Sequence, residues 1–125
     1  MTEPNGLVVH GEFSSADASS PATEADARIK FYRPGDTTEY VLEATEGFVI
    51  TDYVLTTGAA ITVTLYGGDN VTAVAGERYL NNLFPADGGA AMPLVTPFHF
   101  AEGVYPKIRT SGAGQIDFSA SGYIR

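Results

Sequence analysis

Between Ala60 and Tyr66 the chain alternates strictly, with Ile61, Val63 and Leu65 on one side and Thr62, Thr64 and Tyr66 on the other. A repeat of two belongs to a β-strand, because a helix brings side chains back to one face every 3.6 residues. The same signature recurs along the chain, and Gly- and Pro-rich turns cut it into short pieces. Strands are read over 6–13, 28–33, 39–44, 48–56, 60–66 and 71–75. Pro34-Gly35-Asp36, Glu46-Gly47, Thr57-Gly58 and Gly67-Gly68-Asp69-Asn70 are the turns between them. The strand over 48–56 has Phe48, Ile50 and Val54 on one side and Val49, Tyr53 and Leu55 on the other, which predicts a central or doubly covered strand. Leu80, Leu83 and Phe84 sit at helical spacing, so one helical turn is expected within 76–84, followed by a loop over 87–89. Short strands at 91–95 and 98–101 are interrupted by Pro93 and Pro97, the mark of an edge or of a crossing between sheets. The segments 104–109 and 115–124 read as a hairpin around Ser111-Gly112-Ala113-Gly114. Its buried face would carry Val104, Ile108, Ile116, Phe118, Ala120 and Ile124, with Lys107, Arg109, Asp117 and Ser119 outside.

Eight to ten short strands in 125 residues imply a single all-β domain over 1–125, a two-sheet antiparallel β-sandwich, jelly-roll-like, with little helix. Composition agrees. Val, Ile, Thr, Tyr and Phe make 43 of the residues against 7 Leu, and these are the types that suit a pleated, half-buried surface. Ile61, Val63, Leu65, Val104, Ile108, Ile116 and Phe118 are the expected core. Strand order stays open.

Charge and motif content remove several function classes. The net charge is −8 and only Lys30 and Lys107 are lysines, so the clustered cations that hold a nucleic-acid backbone are missing. There is no Cys, hence no disulfide, zinc ribbon or thiol catalysis. No run reaches the roughly 18 apolar residues of a membrane span, and Met1 to Gly6 lacks the features of a signal peptide, so synthesis and use in a cytoplasm are expected. No Gly-x-Ser-x-Gly elbow occurs. The Ser111-Gly112-Ala113-Gly114 loop opens no helix that would bind phosphate. His99, in Phe98-His99-Phe100-Ala101-Glu102-Gly103, resembles half of a cupin metal motif whose second His is missing. His10 is the one other histidine. Asp69, Asn70 and Asp87 lie in Gly-rich loops without an organised calcium set. Asn70-Val71-Thr72 fits a glycosylation acceptor only by pattern. No pair among the 15 carboxylates stands out for glycoside hydrolysis. The expectation is a protein that is not an enzyme and takes no cofactor or metal.

The residues 14–27 are small and acidic, which predicts a flexible arm or loop ordered only by a neighbour. Its acids Asp17, Glu24 and Asp26, with Glu3 and Glu12, would face a basic partner. Tyr105 and Tyr123, on the non-core face of the terminal hairpin, are the other candidate interface residues.

Two stretches carry a resemblance. One runs from Tyr40-Val41-Leu42-Glu43-Ala44 through Gly47-Phe48-Val49-Ile50-Thr51-Asp52 to Ala60-Ile61-Thr62-Val63-Thr64-Leu65-Tyr66. The other runs from Glu102-Gly103-Val104-Tyr105 through Ser111-Gly112-Ala113-Gly114 to Ser121-Gly122-Tyr123-Ile124. In their extended strands closed by Gly-rich turns they resemble the small β-sandwich cement or decoration proteins of tailed-bacteriophage heads, over roughly half the chain. The resemblance implies a virion protein on the capsid surface, a homotrimer, with the major capsid protein as partner and no active site. The alternative from another class is a carbohydrate- or receptor-binding module of a fibre or tail tip. A β-sandwich enzyme whose residues meet only in three dimensions is the third.

Overall fold

The computed structural model describes residues 7–68 and 77–125. Eight strands occur among them: β1 (Leu7–Ser15), β2 (Lys30–Tyr32), β3 (Phe48–Thr57), β4 (Ile61–Gly67), β5 (Arg78–Phe84), β6 (Gly88–His99), β7 (Pro106–Thr110) and β8 (Ile116–Ile124). A 3-10 turn, Ala25–Ala27, precedes β2. Two antiparallel sheets result, ordered β2-β1-β8-β3-β6 and β5-β4-β7. The turn candidate reaching into Asp69-Asn70, the strand read over 71–75, the glycosylation pattern at Asn70 and Glu3 lie outside the described residues.

The pairing has one simple rule. β1 pairs with β8, β3 with β6, and β4 with β5. The missing member of the series is β2 with β7, and the chain just ahead of β2 supplies it. Arg28 bridges Lys107, and the Ile29 N–H donates to the Pro106 carbonyl at 3.0 Å. This is a long antiparallel ribbon rolled into two sheets, the jelly-roll plan expected from the strand number. The chain starts this ribbon beside β7 and then crosses over to pair with β1.

The alternating residues of both sheets meet in one core. Ile29, Phe31, Phe48, Ile50, Leu55, Leu65, Phe100, Ile108, Ile116 and Ile124 are almost wholly removed from water. Phe31 stacks on Phe48 and Tyr79 on Phe100, each pair with centroids 4.2 Å apart, the offset geometry aromatic rings favour. Of the seven expected core residues, six are buried. Val104, in the loop ahead of β7, is half-exposed.

Several sequence expectations are corrected. Most of the two apolar sides of β3 belong to one face, because the register against both neighbours shifts between Ile50 and Asp52; Val49 alone is buried on the other face. That bulge places Phe48 and Ile50 inside ahead of it and Tyr53 and Leu55 inside after it, leaving Val54 exposed. Opposite the bulge, a Cβ on Gly122 would run into the Val49 carbonyl oxygen, so only glycine lets β8 and β3 approach here. The terminal hairpin does not form. β7 pairs with β4 in the small sheet and β8 lies between β1 and β3 in the large one, so the Gly-rich turn between them carries the chain across the core. Lys107, expected outside, is buried. Tyr66, also expected outside, is fully buried.

The segment read as a helical turn is strand β5, with Leu80 and Phe84 opposite Leu65 and Ile61. Cross-strand packing overrides the helical spacing there. The two short strands around Pro93 and Pro97 form one edge strand, β6. Its ladder with β3 skips 94–97, between Pro93 and Phe98, a stretch in which Pro97 cannot donate. Residues 39–44 form no strand. After the Tyr40 N–H reaches the Phe31 carbonyl at 2.7 Å, side chains take over: the Leu42 N–H donates to the Tyr105 hydroxyl at 2.8 Å, and the Tyr40 hydroxyl to Glu46.

The acidic segment after β1 is docked on its own sandwich. The Thr110 N–H donates to the Ala18 carbonyl at 3.1 Å, the Gly114 N–H to the Ala16 carbonyl at 2.9 Å, and Arg109 Nε to the Ser19 carbonyl at 3.2 Å. Ala18 and Ala27 are buried. The segment covers the free edge of β7, so contacts within its own molecule contribute to its order.

Candidate functional site

Of the residues expected at an interface, the six that are described fall into different environments. Tyr105 is not on an outer face. It is half-buried against Phe48, with ring centroids 5.7 Å apart, and the Arg28 guanidinium lies 4.2 Å over its ring. Tyr123 stands on the outer face of the large sheet, opposite Val8 and Val49. The two tyrosines do not share a face, because Tyr105 leads into β7 of the small sheet while Tyr123 belongs to β8 of the large one.

Glu24 is the centre of an internal ionic cluster. It accepts from Arg28 at 2.9 Å and lies 3.1 Å from Lys107 Nζ, which also donates to the carbonyls of Tyr105, at 2.9 Å, and Gly68. Burial acts to raise the Glu24 pKa, but the hydrogen bonds from Arg28 and Lys107 outweigh it and leave the carboxyl below its ordinary value. No sequence signal marks Lys107 for this role, since it sits in an alternating strand at a position of ordinary polar type. Asp17 is also below its ordinary value, because the Ser19 hydroxyl and N–H both donate to it, at 2.6 and 2.9 Å.

Glu12 and Asp26 come together. They line a hollow of about 600 Å³ on the outer face of the large sheet. Its floor is the outward set of four adjacent strands: Lys30 and Tyr32 of β2, Glu12 and Ser14 of β1, Asp117 and Ser119 of β8, Val54 and Thr56 of β3. These positions alternate with the buried Phe31, Phe13, Phe118 and Leu55, so the pattern that builds the core also builds the hollow. Ala25, Asp26 and Arg28 form one side. The Ser14 hydroxyl donates to Asp117 Oδ1 at 2.6 Å, and Gln115 Nε2 donates to Ser14 Oγ at 3.1 Å, which fixes that carboxylate. Glu12 Oε2 lies 3.1 Å from His10 Nε2, and the His10 ring leans on Tyr32. Among the described residues no three His, Asp or Glu side chains converge as a metal set.

A second surface lies at the other side of the molecule. The β2/β7 side is closed by 16–29, but β5 and β6 end their sheets unpaired among the described residues. Leu83, Met92 and Val95 are exposed there, Val95 completely. Residues 79–86 and 88–98 contain no Asp, Glu, Lys or Arg, although the chain has 22 (15 acidic and 7 basic).

No family model, curated protein or solved structure matches this chain.

Proposed function

We propose that this chain is a structural virion protein, a decoration or cement protein that binds the outer surface of a tailed-phage head as a homotrimer, with the major capsid protein as its partner. The observation that supports this reading best is the β5/β6 side, whose outer edges are unpaired among the described residues and whose exposed Leu83, Met92 and Val95 lie in the charge-free runs 79–86 and 88–98. An acidic protein repels its own copies at long range, so they meet most readily where charge is lowest. Unpaired edges are blunted or used. Here the β7 edge is covered by the chain itself, while the β5 and β6 edges keep Leu83, Met92 and Val95 in solvent. Two different edges on one side suit a ring, in which β6 of one copy meets β5 of the next around a three-fold axis. The acidic remainder of the surface suits basic patches on a shell and makes attachment weaken as salt rises.

The test is the mass in solution, with and without purified heads. A trimer of the 13.2 kDa chain gives about 40 kDa by light scattering. Val95→Asp and Leu83→Asp should shift the mass toward the monomer and reduce co-sedimentation with heads. A parent chain that stays monomeric at working concentration and does not co-sediment with heads at low salt would overturn the reading.

A further inference from the structure

We infer that the hollow on the outer face of the large sheet is a binding site for a neutral saccharide. Its size is the first argument. A space of about 600 Å³ falls within the range of small-ligand sites, and it admits one or two sugar rings. The second argument is the kind of groups that converge. A sugar presents neighbouring hydroxyls, each a donor and an acceptor, on a ring with an apolar face. It therefore needs acceptors, donors and a flat apolar surface within a few ångströms of one another.

The hollow offers all three. Asp117 is fixed through Oδ1 by Ser14, while no described residue bonds Oδ2. Asp26 has no side-chain partner among the described residues, and Glu12 engages only one oxygen, with His10. Lys30 lies opposite Glu12 in the strand register, makes no ion pair among the described residues and lines the same space, where its three donors can serve a ligand. The Tyr32 ring, leaning on His10, supplies the flat surface.

Charge selects within the ligand classes. Arg28 is already bonded to Glu24, so the groups left to a ligand are three carboxylates and one ammonium. An anionic ligand such as a phosphate ester or an acidic sugar meets net repulsion. A purely cationic ligand makes no use of Lys30. A neutral, polyhydroxylated ring uses every group.

The site is independent of the proposed assembly, because β5 and β6 contribute no lining residue. The experiment is an amide NMR titration of the full chain with maltose, cellobiose and lactose, alongside sialyllactose and spermine. Saturable shifts from at least one neutral sugar are expected at Glu12, Lys30, Tyr32, Asp117 and Ser119. Tyr32→Ala and Asp117→Asn should weaken that binding about tenfold or more with the rest of the spectrum unchanged. If either variant unfolds, Ser119→Leu obstructs the hollow from an exposed position and should abolish the shifts. Absence of saturable shifts from all three neutral sugars up to about 20 mM would overturn the inference. So would tighter binding of sialyllactose or spermine than of any neutral sugar. Neither result bears on the solution mass or on attachment to heads, so the two readings fail separately.

Discussion

A lysine whose side chain is 1% exposed has to find an anion or lose its proton, and Lys107 has found Glu24. Removing the anion leaves the ammonium in the protein with only the two carbonyls. Glu24 itself is 29% exposed, so solvent screens part of the interaction. Glu24→Gln should therefore cost about 1–3 kcal/mol of unfolding free energy, measured by urea denaturation at neutral pH. The pH dependence has a definite sign. A carboxyl held below its unfolded pKa stabilises the fold fully above that value, near 4.5 for a glutamate, and loses the contribution as pH falls through the lower folded value. Acidification below about pH 4.5 should thus destabilise the parent more steeply than the Gln variant. A variant that matches the parent at every pH would show that the two carbonyls alone hold Lys107. Lys107 also marks a limit of alternation as a guide. The pattern puts it on the side away from Ile108, but a side chain away from one core can still be covered by another part of the chain, here 16–28.

Single strands were legible wherever the alternation was unbroken, as in β4 and β8. It misled where local geometry or partners changed the count. In β3 one extra residue at the bulge moves the inward set from Phe48 and Ile50 to Tyr53 and Leu55, so a strand covered on both faces only at Phe48–Ile50 looks apolar all round. In β5 the spacing of Leu80, Leu83 and Phe84 fits a helix, and only pairing with β4 decides for a strand. The segment after β1 is the clearest case. Its small, acidic composition gives it little surface to bury, yet three hydrogen bonds and Ala18 tie it to β7 and the following turn. Replacing 16–24 by a Gly-Ser linker of equal length removes Ala18 and Glu24 together and uncovers the β7 edge. A loss of about 3–5 kcal/mol is expected, with more aggregation on heating, read by thermal melts and light scattering. A variant as stable and as soluble as the parent would mean that the segment only lies on the edge without supporting it.

At the scale of the molecule, two sheets and a small helical content, 4% of the described residues, follow from the alternation and the turns. The strand order does not, because it depends on which distant strands meet. The turn at 111–115 has the same Gly-rich chemistry whether it returns a chain within a sheet or passes it across a core, so β7 and β8 read as neighbours. The hollow is hidden for a related reason. Glu12, Lys30, Asp117 and Thr56 are ordinary outward strand residues, and only the order β2-β1-β8-β3 makes them one surface. Topology also sets a kinetic expectation. Partners such as Leu7 and Ile124 or Phe13 and Phe118 lie at opposite ends of the sequence. Non-local pairing of this kind slows folding, so refolding is expected in milliseconds to seconds, measured by stopped-flow fluorescence of the tyrosines. A refolding phase complete in microseconds would contradict the rolled-ribbon pairing.

The place of β8 has a consequence for how the protein comes into being. Of these eight strands it is made after all the others, yet it lies between β1 and β3 and joins them. Until it emerges, β1 and β3 have no common partner, and every shorter nascent chain carries a gap in the larger sheet. Closure of the larger sheet therefore waits for β8, and the facing edges of β1 and β3 stay open until it arrives. An interrupted chain would leave a sticky intermediate and not a smaller version of the domain.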